Sequence, residues 1–279
     1  MRYLCRVAYV GTEYIGWASQ SHCEGVATGH RAVQTALHDA LDRFVGAEHH
    51  DGIVGSSRTD KGVHALANTF HIDVRKALTA YEVQSGFNWH LGAEHRNISV
   101  VNAAPVSDDV HARFSAVGRE YHYRIIAPRE PSASPVSTRA LPLHAERAWL
   151  APYALDADAM RVAARHLVGT HDFSSFRASR CQAASPVRSI DELVVSTSEE
   201  HDPFAAASIG SEMRAINVGV KAPGFLYHQV RNIVGCLNAV GRGQMEPDDV
   251  VALLAARDRR AAPAMAPATG LYLAGVQYE

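Results

Sequence analysis

The sequence predicts an α+β fold of two split βαβ units, with mostly antiparallel sheets facing a central cleft. Three observations carry the prediction. Residues 2 to 103 run through strand-like and helix-like patterns in the order β-α-β-β-α-β. Residues 119 to 278 run through a similar order, ending on another strand-like segment. The chain has 279 residues, 47% apolar and 20% charged, which is ordinary globular composition and long enough for two compact domains.

In order, residues 2 to 10 alternate as a strand does. The insertion SHCEGVATGH follows, then RAVQTALHDALDRFVG, where Val33, Ala36, Leu37, Ala40, Leu41 and Phe44 recur at helical spacing before Gly46 stops the helix. Strands are expected near 52–57 and 65–74; in the second, Phe70, Ile72 and Val74 share one face. A helix over about 76–91 and the strand NISVVNA complete the first unit. The boundary is expected near residue 108, giving an N-terminal domain over 1–108 and a C-terminal domain over 109–279.

The second unit opens with the strand REYHYRIIA, and the Pro/Ser-rich stretch 127–142 reads as a long loop inside it. DADAMRVAARHLVG reads as a helix with Asp156 as its N-cap. VRSIDELVVST and MRAINVGVKA read as strands, FLYHQVRNIVGCLNAVG and DDVVALLAAR as helices, and LYLAGVQY as the closing strand. Residues 261–269, AAPAMAPAT, form a low-complexity connector.

Composition excludes several classes. Cys5, Cys23, Cys181 and Cys236 form no C-x-x-C pair, which argues against a disulfide scaffold or a zinc site and fits a reducing compartment. The 16 histidines show no H-E-x-x-H spacing, so no metal is expected, and a metal-dependent hydrolase is the weaker reading. No apolar run reaches the roughly 20 residues of a membrane span. The opening MRYLCRVAYVG enters a strand at once, leaving no room for a leader if this start is native. A cytoplasmic location is expected, with mitochondrial or nuclear placement as the alternatives for a longer start. Lysine plus arginine number 27 against 29 acidic residues, a formal net charge of −2, so a polyanion would have to meet local patches of arginine. Arg113, Arg119 and Arg124, then Arg177, Arg180 and Arg188, supply two such runs.

Four segments could carry chemistry. In SSRTDKGV, Asp60 stands between Arg58 and Lys61 with Gly62 beyond. Flanking cations favour the carboxylate's charged form, as a nucleophile or general base needs; an incidental surface turn is the bland alternative. In REYHYR, alternation places Tyr121 and Tyr123 on one strand face, as half-buried core or as an aromatic wall for an extruded base. In FLYHQVRNIVG, Arg231 borders an apolar stripe and calls for a partner, with Asp60 the candidate. In HDFSSFRASRCQAASPVRSI, Phe173 and Phe176 are expected to pack, while Ser174, Ser175, Arg177 and Arg188 contact phosphates or line a loop.

Taken together the chain resembles the TruA family of tRNA pseudouridine synthases. The likeness rests on YVGTEYIGWASQ, AVQTAL, SSRTDKGVHAL, DDVHARFSAVGREYHYRI, LVGTHDFSSFRASRCQAASPVRSI, FLYHQVRNIVG and GLYLAGVQYE, in the family's order and rough spacing. The resemblance implies the pseudouridine synthase fold. It implies that Asp60 is the catalytic aspartate, Arg58 helps displace the target nucleotide, Tyr121 is the active-site tyrosine and Arg231 pairs with the aspartate. Lys61, Arg113, Arg177 and Arg188 are the further candidate RNA contacts. It also implies a tRNA substrate modified in the anticodon stem-loop, with other RNA as a further target, a homodimer, and no cofactor or metal. A catalytically silent RNA-binding or RNA-folding protein on the same scaffold is the alternative. Departures from the family's usual spelling, Val10, Ala18, Lys61 and Val187, together with YVGTEY and GTHDFSSF, lean toward the eukaryotic branch.

Overall fold

The computed structural model describes residues 1–18, 31–92, 94–131, 141–198 and 212–279. The insertion SHCEGVATGH with Cys23, and residues 132–140 of the Pro/Ser-rich stretch, lie outside the described residues. The fold is mixed α+β with mostly antiparallel strand pairing, and the chain forms two compact units, Met1–Arg119 with Tyr272–Glu279, and Glu120–Leu271.

In the first unit, β1 (Arg2–Tyr9), α1 (Val33–Val45), β2 (His50–Gly55), β3 (His64–Val74), α2 (Ala80–Leu91) and β4 (Ile98–Val106) follow the predicted order. The strand order β4-β1-β3, with β2 on the other edge of β3, is that of a split βαβ sheet. Cys5 sits opposite Phe70 on one side and Ala103 on the other, and Ile53 opposite Ile72, all antiparallel. Alternation buries Tyr3, Cys5, Val7 and Tyr9 of β1, and the helical stripe of α1 buries Val33, Ala36, Leu37, Ala40 and Leu41. Gly46 ends α1 at φ +89°, a conformation that favours glycine, with its N–H on the Asp42 carbonyl. Helix α2 starts at residue 80, later than expected, because Thr79 and Glu82 close a capping box: the Thr79 N–H donates 2.7 Å to Glu82, and the Glu82 N–H donates 3.2 Å to the Thr79 hydroxyl.

The first compact unit runs on to Arg119. Residues 108–119 are tied back by bonds that no local pattern reveals. Arg2 donates to the carbonyls of Asp108 and, at 3.0 Å, Val110. The Ala112 N–H donates 3.0 Å to His71 Nδ1, and the Tyr278 hydroxyl donates 2.7 Å to the Ala112 carbonyl. Tyr278 belongs to β11 (Leu271–Tyr278), which pairs in parallel with β3 through Tyr272 opposite His64 and Leu273 opposite Ala65.

Strand β5 (Ala116–Pro128) carries the chain into the second unit. There β10 (Met213–Ala222) lies between β5 and β9 (Glu192–Ser198), an order that repeats β1-β3-β2, and Val218 of β10 faces Val195 of β9. A short β6 (Trp149–Leu150) runs parallel to β5. Helix α3 (Ala157–Arg165) is capped as expected by Asp156, which accepts 2.9 Å bonds from the amides of Asp158 and Ala159. VRSIDELVVST is two strands, not one. The Asp191 N–H bonds the Lys221 carbonyl, separating β8 (Val187–Ile190), which pairs with β7 (Gly169–Asp172), from β9. Helices α4 (Gln229–Gly241) and α5 (Asp249–Ala256) follow. Residues 225–228 stay outside α4: His228 adopts φ +61°, and the Gln229 side chain caps the Leu226 N–H at 2.7 Å.

Candidate active site

The first unit builds the aspartate loop from its neighbours inward. Asp60 is half-buried between exposed Arg58 and Lys61, on the segment that links β2 to β3, while Thr59 beside it is buried. Thr59 is held at both ends of its residue: its hydroxyl lies 2.8 Å from that of Tyr9, and its carbonyl accepts 3.0 Å from the Trp17 N–H. Asn68 of β3 completes the frame. Its amide donates 3.2 Å to the Ser57 carbonyl and 3.3 Å to the Tyr9 hydroxyl, and its Oδ1 accepts from Ser56 and from the Thr69 N–H. On the far side of Asp60 its carbonyl accepts 3.1 Å from the Val63 N–H, a turn that Gly62 closes at φ +79°.

Backbone packs on backbone here. A Cβ added to Gly11 would lie 1.9 Å from the Val63 carbonyl oxygen, and one on Gly16 would lie 2.6 Å from that of Thr59. The Gly11 N–H donates 3.1 Å to buried His64, whose ring stacks on Tyr272 at 4.6 Å. YVGTEYIGW is therefore the clamp on the aspartate loop. A half-buried carboxylate held in a fixed loop can act on a bound substrate without reorganising first. Of these positioning residues the sequence offered Tyr9, Gly11, Gly16, Trp17, Thr59 and His64 only as spelling within motifs; Asn68 gave no signal.

Arg113 lies in HARFSA, in the same unit. His111 Nδ1 accepts from the amides of Arg113 at 3.1 Å and Phe114 at 3.2 Å, and the Arg113 guanidinium sits 5.9 Å over the exposed Phe114 ring. The pair presents a cation and an aromatic face together, the combination that holds nucleic-acid phosphates and bases.

The second unit carries the other candidates. Tyr121 is half-buried and packs edge-on to Phe225, ring centroids 5.3 Å apart. Tyr123 is the core tyrosine of the pair: it is wholly buried, donates 2.8 Å to the Pro267 carbonyl, and burial drives its phenol far above the ordinary range, with the nearby Arg231 charge opposing. Arg231 is the one residue of α4 that is not buried. Its Nε donates 2.9 Å to the Ala266 carbonyl, and its own carbonyl accepts 3.1 Å from the Ala266 N–H, so the connector 261–269 fixes the guanidinium. Gly235, one turn on, lets that connector approach: a Cβ there would lie 2.1 Å from the Ala264 carbonyl oxygen.

Phe173 and Phe176 pack in the core, centroids 5.9 Å apart. Ser175 is buried with its hydroxyl on the Leu253 carbonyl at 2.7 Å, so it serves packing and not phosphate contact. Arg177 is half-buried near Asp172, whose carboxyl is held below its usual range first by the Ser174 hydroxyl. Arg188 folds back on its own strand, donating to the carbonyls of Ser185 and Val187.

One histidine cluster has ligand-like spacing: single atoms of His38, Asp42 and His50 lie within 4.8 Å of one another. Its hydrogen bonds define a different role. His50 Nδ1 accepts 3.0 Å from the Gly52 N–H, so Nε2 carries the proton of the neutral ring and donates 2.7 Å to Asp42. A cation at Nε2 would displace that proton and the Asp42 bond together.

A family model described as tRNA pseudouridine synthase matches residues 6–115 and 163–279. The chain belongs to the tRNA pseudouridine synthase family. Proteins named tRNA pseudouridine synthase A align with it almost end to end. That of Paramagnetospirillum magneticum is 41% identical over 277 residues, 99% of this chain and 95% of the relative. That of Rhodospirillum centenum is 41% identical and that of Xanthobacter autotrophicus 42%, each over 99% of both chains. These relatives are bacterial, whereas YVGTEY and GTHDFSSF leaned toward the eukaryotic branch. As a tRNA pseudouridine synthase family member the chain falls among the isomerases, and both matched segments carry candidate residues: Asp60 in the first, Arg231 in the second.

Proposed function

We propose that this chain isomerises uridine to pseudouridine in tRNA, with Asp60 as the catalytic carboxylate. The observation that carries the reading is the clamp on Thr59, which fixes half-buried Asp60 between two exposed cations. The reaction breaks the C1′–N1 bond of uridine, turns the uracil, forms the C1′–C5 bond, releases the C5 proton and leaves N1 carrying a proton in its place. Atoms balance and no electrons are gained or lost, so the chemistry calls for no redox cofactor. A carboxylate can capture or stabilise electron-poor C1′, as in retaining glycoside hydrolysis, or take the C2′ proton.

Tyr121 and Arg231 act on the same uridine in this reading, Tyr121 as an aromatic wall that joins the proton relay and Arg231 as the partner of the carboxylate. Arg58 and Lys61 hold the backbone of the displaced nucleotide, whose extrusion costs a few kcal/mol that phosphate contacts must offset. Arg113, Arg177 and Arg188 extend those contacts. The target lies in the anticodon stem-loop, the active form is a homodimer, and the enzyme works in the cytoplasm. Among the described residues no helix is long and apolar enough to cross a membrane.

Asp60→Ala tests the proposal. Pseudouridine formation on unmodified tRNA should fall by at least ~10⁴-fold, as when an enzyme loses its nucleophile, while tRNA still binds. Product formed at the wild-type rate would overturn the role of Asp60. Wild-type protein that binds tRNA and forms no pseudouridine would instead make the chain a silent RNA-binding protein. Mapping the modified position on the product tests the anticodon assignment.

A further inference from the structure

The segment HARFSA displays an aromatic ring on a backbone that is bonded at every amide. The ring of Phe114 is 78% exposed. Beneath it, the His111 N–H donates 2.9 Å to the Ser115 hydroxyl, and the Ser115 N–H donates 2.9 Å back to the His111 carbonyl. The Ala112 N–H reaches His71, and His111 Nδ1 takes the amides of both Arg113 and Phe114. Two carbonyls are held as well, that of Ala112 by Tyr278 and that of Arg113 by Arg119 at 3.1 Å. A loop tied at this many points has lost its backbone freedom on folding, so a ligand that meets the ring orders little more.

The ring is also braced from behind. His111 stacks on it, centroids 4.4 Å apart and planes 29° apart, and packs edge-on against buried His71 of β3 at 4.8 Å. Alternation puts His71 on the opposite face of β3 from Phe70, which packs on Phe87 of α2 at 5.5 Å. The platform therefore lies on the side of the strand away from that helix. The exposed Arg113 guanidinium stands 5.9 Å from the Phe114 centroid. A flat apolar face with a cation at its edge suits a planar ligand that carries negative charge beside its ring. A nucleotide has that form: the base stacks and the phosphate meets the cation.

We propose that Phe114 stacks an unpaired base of bound tRNA, with Arg113 on the adjoining phosphate. The inference rests on the reading that the chain acts on tRNA. From His64, just beyond the aspartate loop, to His71, β3 extends on the order of 20 Å. The base held at Phe114 therefore belongs to a nucleotide other than the target uridine.

The test is tRNA affinity across a KCl series for the wild type, Phe114→Ala, Phe114→Trp and Arg113→Gln. Losing one stacked base should weaken binding by Phe114→Ala about 5- to 150-fold. Stacking releases no counterion, so the slope of log affinity against log salt should stay at the wild-type value in Phe114→Ala and fall by roughly 0.7–0.9 in Arg113→Gln. Phe114→Trp should keep the wild-type affinity, and its added fluorescence should be quenched as tRNA binds. Binding by Phe114→Ala as tight as by the wild type, or an added tryptophan signal that tRNA leaves unchanged, overturns the stacking and leaves the tRNA reading in place. A wild type that binds no tRNA removes both. Sedimentation of the free proteins covers the remaining occupant: a dimer that Phe114→Ala converts to monomer would assign the ring to a second copy of the chain and overturn the base reading.

Discussion

Thr59 and Gly11 show how the aspartate loop is held by residues outside the candidate catalytic set. The Thr59 side chain is buried, and its hydroxyl and carbonyl are bonded to Tyr9 and to the Trp17 N–H. Gly11 lets the two backbones touch, since a Cβ there would meet the Val63 carbonyl oxygen at 1.9 Å. Gly11→Ala should lower stability by about 1–3 kcal/mol, the usual cost of overpacking, and slow pseudouridine formation more than it weakens tRNA binding. Urea midpoints and a split of kcat from KM read the two effects; a variant with wild-type values in both would show that the close approach constrains nothing. Asp60 itself was legible, because an acid between two bases before a glycine is an unusual local pattern. Asn68 was not, because its role is set by the four groups its side chain meets and not by a local pattern.

At the scale of the element, β3 organises the first unit. It pairs with β1 along one edge and with β2 and β11 on the other, and its buried His71 ties down HARFSA by accepting the Ala112 N–H. Burial lowers the His71 pKa, helped by the charges of Arg2 and His111 and opposed by Asp73. The depressed value means that His71 stabilises the fold fully above the unfolded histidine pKa of about 6.5, and that this contribution is lost as pH falls below it, because the unfolded chain takes the proton first. Unfolding free energy should therefore drop more steeply between pH 7 and 5 in the wild type than in His71→Gln, measured by urea denaturation at each pH. Equal slopes would remove His71 from the account. The longer elements were readable from periodicity, but the short strands β6 and β7 and the element ends were not. The capping box moved the start of α2, and the Asp191 bond to Lys221 cut one expected strand into two with different partners.

At the scale of the molecule, the last strand of the chain returns to the first unit. The Tyr278 hydroxyl reaches Thr69, 209 residues earlier, and the Ala112 carbonyl. Burial raises the phenol's pKa, with Thr69 and Ser56 opposing, so the group stays neutral and able to donate. Tyr278→Phe should destabilise the protein by about 1–3 kcal/mol by leaving a part-buried carbonyl unmet. A denaturation midpoint that does not move would show that β11 is held by strand pairing alone. The same return places the first unit's edge beyond residue 108, because the residues after it are bonded to β3, β1 and β11.

The sequence by itself determined the order of the main elements, the repeat of the split βαβ pattern, and the candidate aspartate, tyrosine and arginine. Those features are local, because side-chain period and turn chemistry act over a few residues. Tertiary structure alone decided that Arg231 is fixed by a carbonyl 35 residues away, that Arg188 folds onto its own strand, and that His71 and Tyr278 tie down the loop that carries Phe114. Each of those outcomes depends on which backbone groups and cations meet when apolar faces are buried, and that meeting leaves no mark on the spacing of residues along the chain.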